Sequence, residues 1–177
     1  MDRRDLLKGI GGAAAFAPIL AAPAAQACEA ASAMRAGDSA AGAAGRTAAI
    51  LLYPGFSAID VATARQVLHA RGVAQVTLLS AGPPAAAVPS DLGLAIQPDA
   101  AMAGAHAHDL LFVPGGSGAK AALQRMDVIA FLKRNGGKAM RVAATGDAGL
   151  LLRKAGIAGA AIGADGQAAS VALSLTA

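Results

Sequence analysis

Three apolar runs in this chain stop at glycine turns, and each is followed by a stretch that suits a helix. Residues 48–56 read AAILLYPGF, residues 109–118 read DLLFVPGGSG, and residues 141–157 read RVAATGDAGLLLRKAGI. A short apolar run bounded by Pro-Gly or Gly fits a strand buried on both faces. Parallel strands need long crossover connections, and crossover helices cover the faces of a sheet. Runs of this kind alternating with helices therefore predict an α/β domain with a parallel sheet.

The spacing predicts strands over 47–53, 75–80, near 94–97, over 109–113 and over 139–145. Helices are expected over 58–70, over a segment broken near Met126-Asp127, and over 147–155, with a Pro-rich loop at 82–89. Alanine is so frequent that hydrophobic periodicity is blurred, so element type is better specified than element ends. Open α/β sheets bind ligands beyond the carboxyl ends of their strands. Asp60, Gly115, Gly116 and the Gly146-Asp147 turn are thereby expected on one rim.

The 141–157 segment has the shape of a nucleophile elbow, a sharp strand-to-helix turn in which small neighbours let a central side chain stand clear. Ala144, Gly146 and Ala148 are small, but the central position is Gly146, which has no side chain to react. A shift of one residue would centre Asp147, as a carboxylate nucleophile or base. The plainer expectation for Asp147 is an N-cap of the following helix, where Asp accepts from free backbone N–H groups. Asp60 follows the first Pro-Gly turn, as an acid/base or as a first-turn carboxylate favoured by the helix dipole. Gly115, Gly116, Ser117 and Gly118 offer backbone N–H groups, either as an anion or oxyanion cradle or as a tight turn. His106 and His108 flank Ala107, and His69 lies late in the first helix. With no further ligand type clustered beside them, neither a metal nor another cofactor is expected.

On the segments LLYPGFSAID at 51–60, LFVPGGSG at 111–118 and GLLLRKAGI at 149–157, the chain resembles the ThiJ/PfpI family of the class I glutamine amidotransferase-like superfamily. SDLGLAIQPD at 90–99 is similar to the family's strand pair, and VIAFLKR at 128–134 to its next helix. The resemblance runs in order from about 47 to 157. It implies a three-layer, flavodoxin-like parallel sheet with helices on both faces, shortened at its C-terminal side. It also places the family's cysteine at Gly146 and the family's following Thr at Asp147. Many members carry a Glu on the first helix that hydrogen-bonds the cysteine, and Gln66 is the residue matched to it here. In isonitrile-hydratase-like relatives, the residue matching Asp60 is an acid/base beside the cysteine. Cysteine chemistry needs a thiolate, and the chain's one cysteine is Cys28. The expected function is thus a catalytically degenerate domain binding a small molecule or partner at Gly115, Gly116, Ser117 and Gly146. The alternatives are an isonitrile-hydratase-like or amidase-like enzyme using Asp60 and Asp147, and an inactive fragment.

The N-terminus resembles a twin-arginine export signal: Arg3-Arg4, then an apolar Gly/Ala-rich stretch, then Ala25-Gln26-Ala27 as an A-x-A cleavage site. Periplasmic or secreted delivery follows, with lipid attachment at Cys28 as the alternative and no membrane span after cleavage. The organisation expected is signal 1–27, flexible linker 28–46 and domain 47–177. The tail, AGAAIGADGQAASVALSLTA over 158–177, offers at most one element near 171–175. A sheet left bare there predicts a homodimer. The formal charge of +4 lies partly in the signal, and there is no Trp and only 3% aromatic residues. Base-stacking surfaces, and hence nucleic acid partners, are excluded on that ground.

Overall fold

Strand β1, Thr47–Leu52, shows why the apolar runs lie at the centre of a sheet. Ile50, Leu51 and Leu52 are all completely buried, as are Leu110, Phe112 and Val113 in the neighbouring run. A strand covered on both faces has no polar alternation to display. In this computed structural model of the chain, residues 45–83, 86–139 and 141–177 are described.

The remaining strands are β2 (Gln75–Ser80), β3 (Val88–Pro89), β4 (Ala95–Ile96), β5 (Ala100–Ala101), β6 (Leu110–Val113), β7 (Arg141–Thr145) and β8 (Ala161–Gly163). β3 and β4 form a small antiparallel hairpin. The other six form one parallel sheet in the order β5-β2-β1-β6-β7-β8. The helices are α1 (Ala58–Ala70), α2 (Ala119–Ala122), α3 (Met126–Gly136), α4 (Ala148–Lys154) and α5 (Ala168–Thr176). α1 packs on α5, while α2 and α3 pack on α4. From β1 the chain winds outward through α1 to β2, and from β6 it winds the other way to β7 and β8. Right-handed crossovers then set α1 on one face and α2, α3 and α4 on the other. The order reverses between β1 and β6, so a crevice opens beyond their carboxyl ends.

The expected elements are present in their expected types, and α1 and β2 have the expected limits. The tail differs from its expectation. Instead of at most one element near 171–175 it forms β8, which extends the sheet, and α5, which covers the face shared with α1. Ala168, Val171, Ala172 and Leu175 are buried there. Small residues hid this helix, because a stripe of alanine and serine has little hydrophobic contrast. The bare face that predicted a homodimer is therefore covered by the chain's own α5. The signal, Cys28 and nearly all of the linker lie outside the described residues. Among those described, no helix is long and apolar enough to cross a membrane.

One polar contact ties β1 to the loop before β6. The backbone N–H and hydroxyl of Thr47 both donate to Asp109 Oδ2, at 2.8 and 3.0 Å. These bonds hold the Asp109 carboxyl below its ordinary 3.8. Beside it, burial holds His108 below its ordinary 6.5. Each group thus favours its deprotonated form when folded, and the unfolded chain takes up the proton first as pH falls. The His108 contribution is complete above its unfolded value of 6.5 and fades below it; the Asp109 contribution is complete above 3.8 and fades below that. The melting temperature is expected to be flat between roughly pH 7 and 8, to decline from about 6.5 downward, and to fall again below about 4. His108→Gln should abolish the first decline only, and a profile identical to the parent's would contradict the assignment.

Candidate functional site

The rim is assembled from three strand ends. After β1, residues 53–57 turn sharply, with Phe56 N–H donating to the Tyr53 carbonyl. After β6, residues 114–118 lie directly on that turn: Ser57 N–H donates to the Gly115 carbonyl at 2.8 Å, and Gly118 N–H to the Gly55 carbonyl at 2.9 Å. The β3–β4 hairpin closes the third side through Asp91. Its N–H donates to the Phe56 carbonyl, and its Oδ1 accepts from Ala58 N–H. The Ser57 hydroxyl accepts from Asp60 N–H. Two oxygens thus satisfy free N–H groups at the start of α1, as a helix start requires.

Beneath the rim runs a buried polar chain. The Thr145 hydroxyl donates to Asp60 Oδ2 at 2.6 Å and accepts from Gly115 N–H at 2.8 Å. Thr145 is fully buried and Asp60 nearly so. The Tyr53 hydroxyl donates to the Pro114 carbonyl and lies 3.0 Å from that of Gly115. Burial raises the Tyr53 phenol far above its ordinary value, and the charges of Asp60, Asp147, Asp165 and Asp91 raise it further. Tyr53 therefore remains a neutral donor at all physiological pH.

The elbow is present. β7 ends at Thr145, Gly146 has φ +52, and α4 begins at Ala148. A left-handed residue between a strand and a helix is the bend that lifts a central side chain clear, and glycine holds it without a Cβ penalty. Asp147 has φ −63, an ordinary helical value. This makes Gly146 the centre and removes the reading that centres Asp147. The expected cap bond is absent as well, since Asp147 makes no side-chain cap contact. Its carboxylate is half exposed, 4.0 Å from an exposed Lys120, a pairing of little energetic weight. Gln66 is exposed on α1 and does not line the site. The acid that α1 brings to the elbow is Asp60, from its first turn.

The cavity over these residues is about 330 Å³ and is lined by Ser57, Gly116, Ser117, Gly166 and four carboxylates, Asp60, Asp91, Asp147 and Asp165. Among the described residues no basic side chain lines it. Within the described residues, the N–H groups of Gly116 and Ser117 donate to no protein acceptor. The expected rim residues are thus brought together. Asp91, Thr145, Tyr53 and Asp165 are additions that the sequence pattern did not single out. Asp165 had a signal, the Asp-Gly turn pair at 165–166, but its place depends on β8 pairing with β7. His69 and His106 are exposed, and no cluster able to hold a metal occurs among the described residues.

A parallel sheet with a crevice at its switch point and an elbow at the end of β7 defines a flavodoxin-like α/β domain with its site on the strand-end rim. The chain belongs to the DJ-1/PfpI family, whose sequence pattern matches residues 46–163. It is similar in structure to a ThiJ/PfpI family protein from Pseudomonas syringae, with TM-score 0.68 and 22% identity, covering 78% of this chain and 71% of that one. It is also similar to Drosophila melanogaster DJ-1beta, with TM-score 0.57 and 26% identity over 64% of this chain and 62% of that one. Oxidized Toxoplasma gondii DJ-1 matches with TM-score 0.56 and 18% identity over 63% and 62%. Among curated proteins no sequence match is found.

Proposed function

We propose that this chain is a family member that works by binding, without thiol chemistry, and that its rim takes a small molecule bearing a positively charged or strongly donating group. The observation that carries this reading is the elbow centre: Gly146 offers no nucleophile, and the cavity beside it is lined by four carboxylates and, among the described residues, by no basic side chain, with Lys120 only at its edge, 4.0 Å from Asp147. A carboxylate-lined crevice attracts cations and repels anions. The Gly116 and Ser117 N–H groups add donors for a carbonyl or hydroxyl on the same ligand.

Titration with ethylammonium, followed by amide chemical shifts, tests this. Ethylammonium is expected to move the amides of Gly116, Ser117 and Asp147, and acetate is expected to leave them still. The reverse pattern would refute the reading, and silence with both would support the inactive-fragment alternative.

A second reading has one observation in its favour: Asp60 and Asp147 line one cavity. Two carboxylates in different surroundings can divide acid and base roles, as an isonitrile-hydratase-like or amidase-like reaction without cysteine would require. Hydrolysis or hydration abolished in both Asp60→Asn and Asp147→Asn would establish it.

We also propose export through the twin-arginine route, supported by Arg3-Arg4 and the Ala25-Gln26-Ala27 cleavage pattern. A reporter fused to the leader should reach the periplasm, and Arg3→Lys/Arg4→Lys should hold it in the cytoplasm, because lysine lacks the planar fork of donors. Unimpaired export of that variant would exclude the route. Radiolabelled lipid incorporation at Cys28 is the outcome that would replace cleavage with anchoring.

A further inference from the structure

An ideal Cβ placed on Gly146 would lie 1.7 Å from Asp165 Oδ1 and 2.7 Å from its Cγ. Non-bonded atoms do not approach so closely, so the two groups claim one volume. A Cβ on Gly115 would lie 3.0 Å from the same oxygen. Asp165 Oδ1 therefore sits in a slot formed because neither Gly115 nor Gly146 carries a side chain.

The turn that delivers this carboxylate is tied down at both ends. Gly146 N–H donates to the Gly163 carbonyl at 2.8 Å, which fixes β8 against the elbow itself. Beyond Asp165, Gln167 N–H donates to the Ala164 carbonyl, and Ala164 N–H to Gln167 Oε1. α5 then anchors the far side through buried Ala168, Val171 and Leu175. Asp165 also lies two residues beyond the stretch that matches the family pattern, which ends at 163.

We propose that Asp165 has taken the place of the elbow's central side chain: its carboxylate occupies the volume that a side chain at position 146 would need, so such a side chain must displace it, and Asp165 is the group a ligand meets at the elbow. The exclusion rests on geometry alone, while the ligand contact rests on the binding reading above. The site has in effect exchanged a group projecting from β7 for an acceptor carried by the β8–α5 turn. A ligand there finds an exposed, negatively charged hydrogen-bond acceptor, carried on an anchored turn over the Gly115 and Gly146 backbone. That selects for an ammonium, amidinium or hydroxyl donor and against a carboxylate.

The exclusion is tested with Gly146→Cys in a Cys28→Ser background, which leaves one thiol in the chain. Iodoacetamide reports access: the thiolate sulfur bonds to the methylene carbon as iodide leaves. Alkylation is expected to be slow with Asp165 present and at least tenfold faster in Gly146→Cys/Asp165→Ala. Asp165→Asn keeps the bulk without the charge, so it should leave the rate within about threefold of the slow value. Equal rates with Asp165 retained and with Asp165→Ala would overturn the proposal.

Should Gly146→Cys fail to fold, Gly146→Ala provides the same comparison by melting temperature. The strain at φ +52 is common to both backgrounds, so the overlap alone makes the loss larger with Asp165 than with Asp165→Ala. Equal losses would again overturn it. The ligand contact is read separately: Asp165→Ala should weaken the ethylammonium-induced shift at Gly116 at least threefold. An unaltered shift would remove Asp165 from the binding site. A parent protein that ignores ethylammonium would fail the binding reading while leaving the alkylation result intact.

Discussion

Thr145→Val is expected to destabilise the domain by about 3 kcal/mol or more and to lower its melting temperature by roughly 10 °C. Valine keeps the shape and removes only the hydroxyl, so the effect isolates the hydrogen bonds. Two partners are stranded. Gly115 N–H loses its acceptor, and Asp60 loses the donor to Oδ2. A buried neutral donor left unpaired costs about 1–3 kcal/mol, and a buried carboxylate costs more. Thr145→Ser keeps the hydroxyl and loses a methyl group, so it should cost about 1 kcal/mol. Asp60→Ala alone should also destabilise, because it strands the Thr145 hydroxyl. The double variant Thr145→Val/Asp60→Ala should lose clearly less than the two single losses added, since the members of the chain are then removed together. Thermal melts of the four proteins decide the matter. Equal losses for the Val and Ser variants would mean that the Thr145 hydroxyl bonds contribute nothing net.

This chain of bonds shows where sequence reasoning ran out. The strands β1 and β6 were legible because burial on both faces leaves an uninterrupted apolar run, and their Pro-Gly endings mark the chain's exit from the sheet. The rim followed from topology alone: strand ends at a switch point converge whatever their sequence. That reasoning brought Asp60, Gly115, Gly116 and the Gly146-Asp147 turn to one rim. Thr145 was invisible by the same logic, because a threonine in an apolar run reads as a β-branched strand residue. Its role exists only when the first turn of α1 and the Gly115 loop, 85 and 30 residues away in sequence, close around it.

Two readings failed for reasons of a different kind. Asp147 has the right type and position for an N-cap, yet its φ is helical, and its half-exposed side chain makes no cap bond. A cap needs an extended backbone at the capping residue, and the elbow denies it. The tail failed on composition. Over residues 168–176 the sequence AASVALSLT offers only small and medium side chains, so its buried stripe has weak contrast against the exposed one. Asp165 was lost with it, since the Asp-Gly pair reads as an ordinary turn until β8 is known to pair with β7.

Gly118→Ala is expected to cost about 3 kcal/mol and to disable the rim together with the fold's local order. The backbone there is ordinary, with φ −80, so alanine brings no torsional penalty. The obstacle is space. A Cβ on Gly118 would lie 1.8 Å from the Pro54 carbonyl oxygen and 2.8 Å from its carbon. Both are backbone atoms at the end of β1, which cannot rotate aside as a side chain would. Gly116 meets the same crowding, its Cβ falling 2.4 Å from the Gly55 carbonyl oxygen at a φ of +120. The two post-strand loops are thus in backbone-to-backbone contact, joined by the bonds from Ser57 to Gly115 and from Gly118 to Gly55. Forcing them apart breaks these bonds, each worth about 1 kcal/mol, and moves the Gly116 and Ser117 N–H groups off the cavity. Gly104→Ala, with nothing within 4 Å of its Cβ, serves as the control and should change stability by less than about 1 kcal/mol. The melting temperature of Gly118→Ala should fall by roughly 10 °C relative to that control, and ethylammonium should no longer move the Ser117 amide. A variant with an intact melt but a lost shift would mean that the loops separate without cost to the core. One that matches the control in both would mean that this contact does not hold the site together.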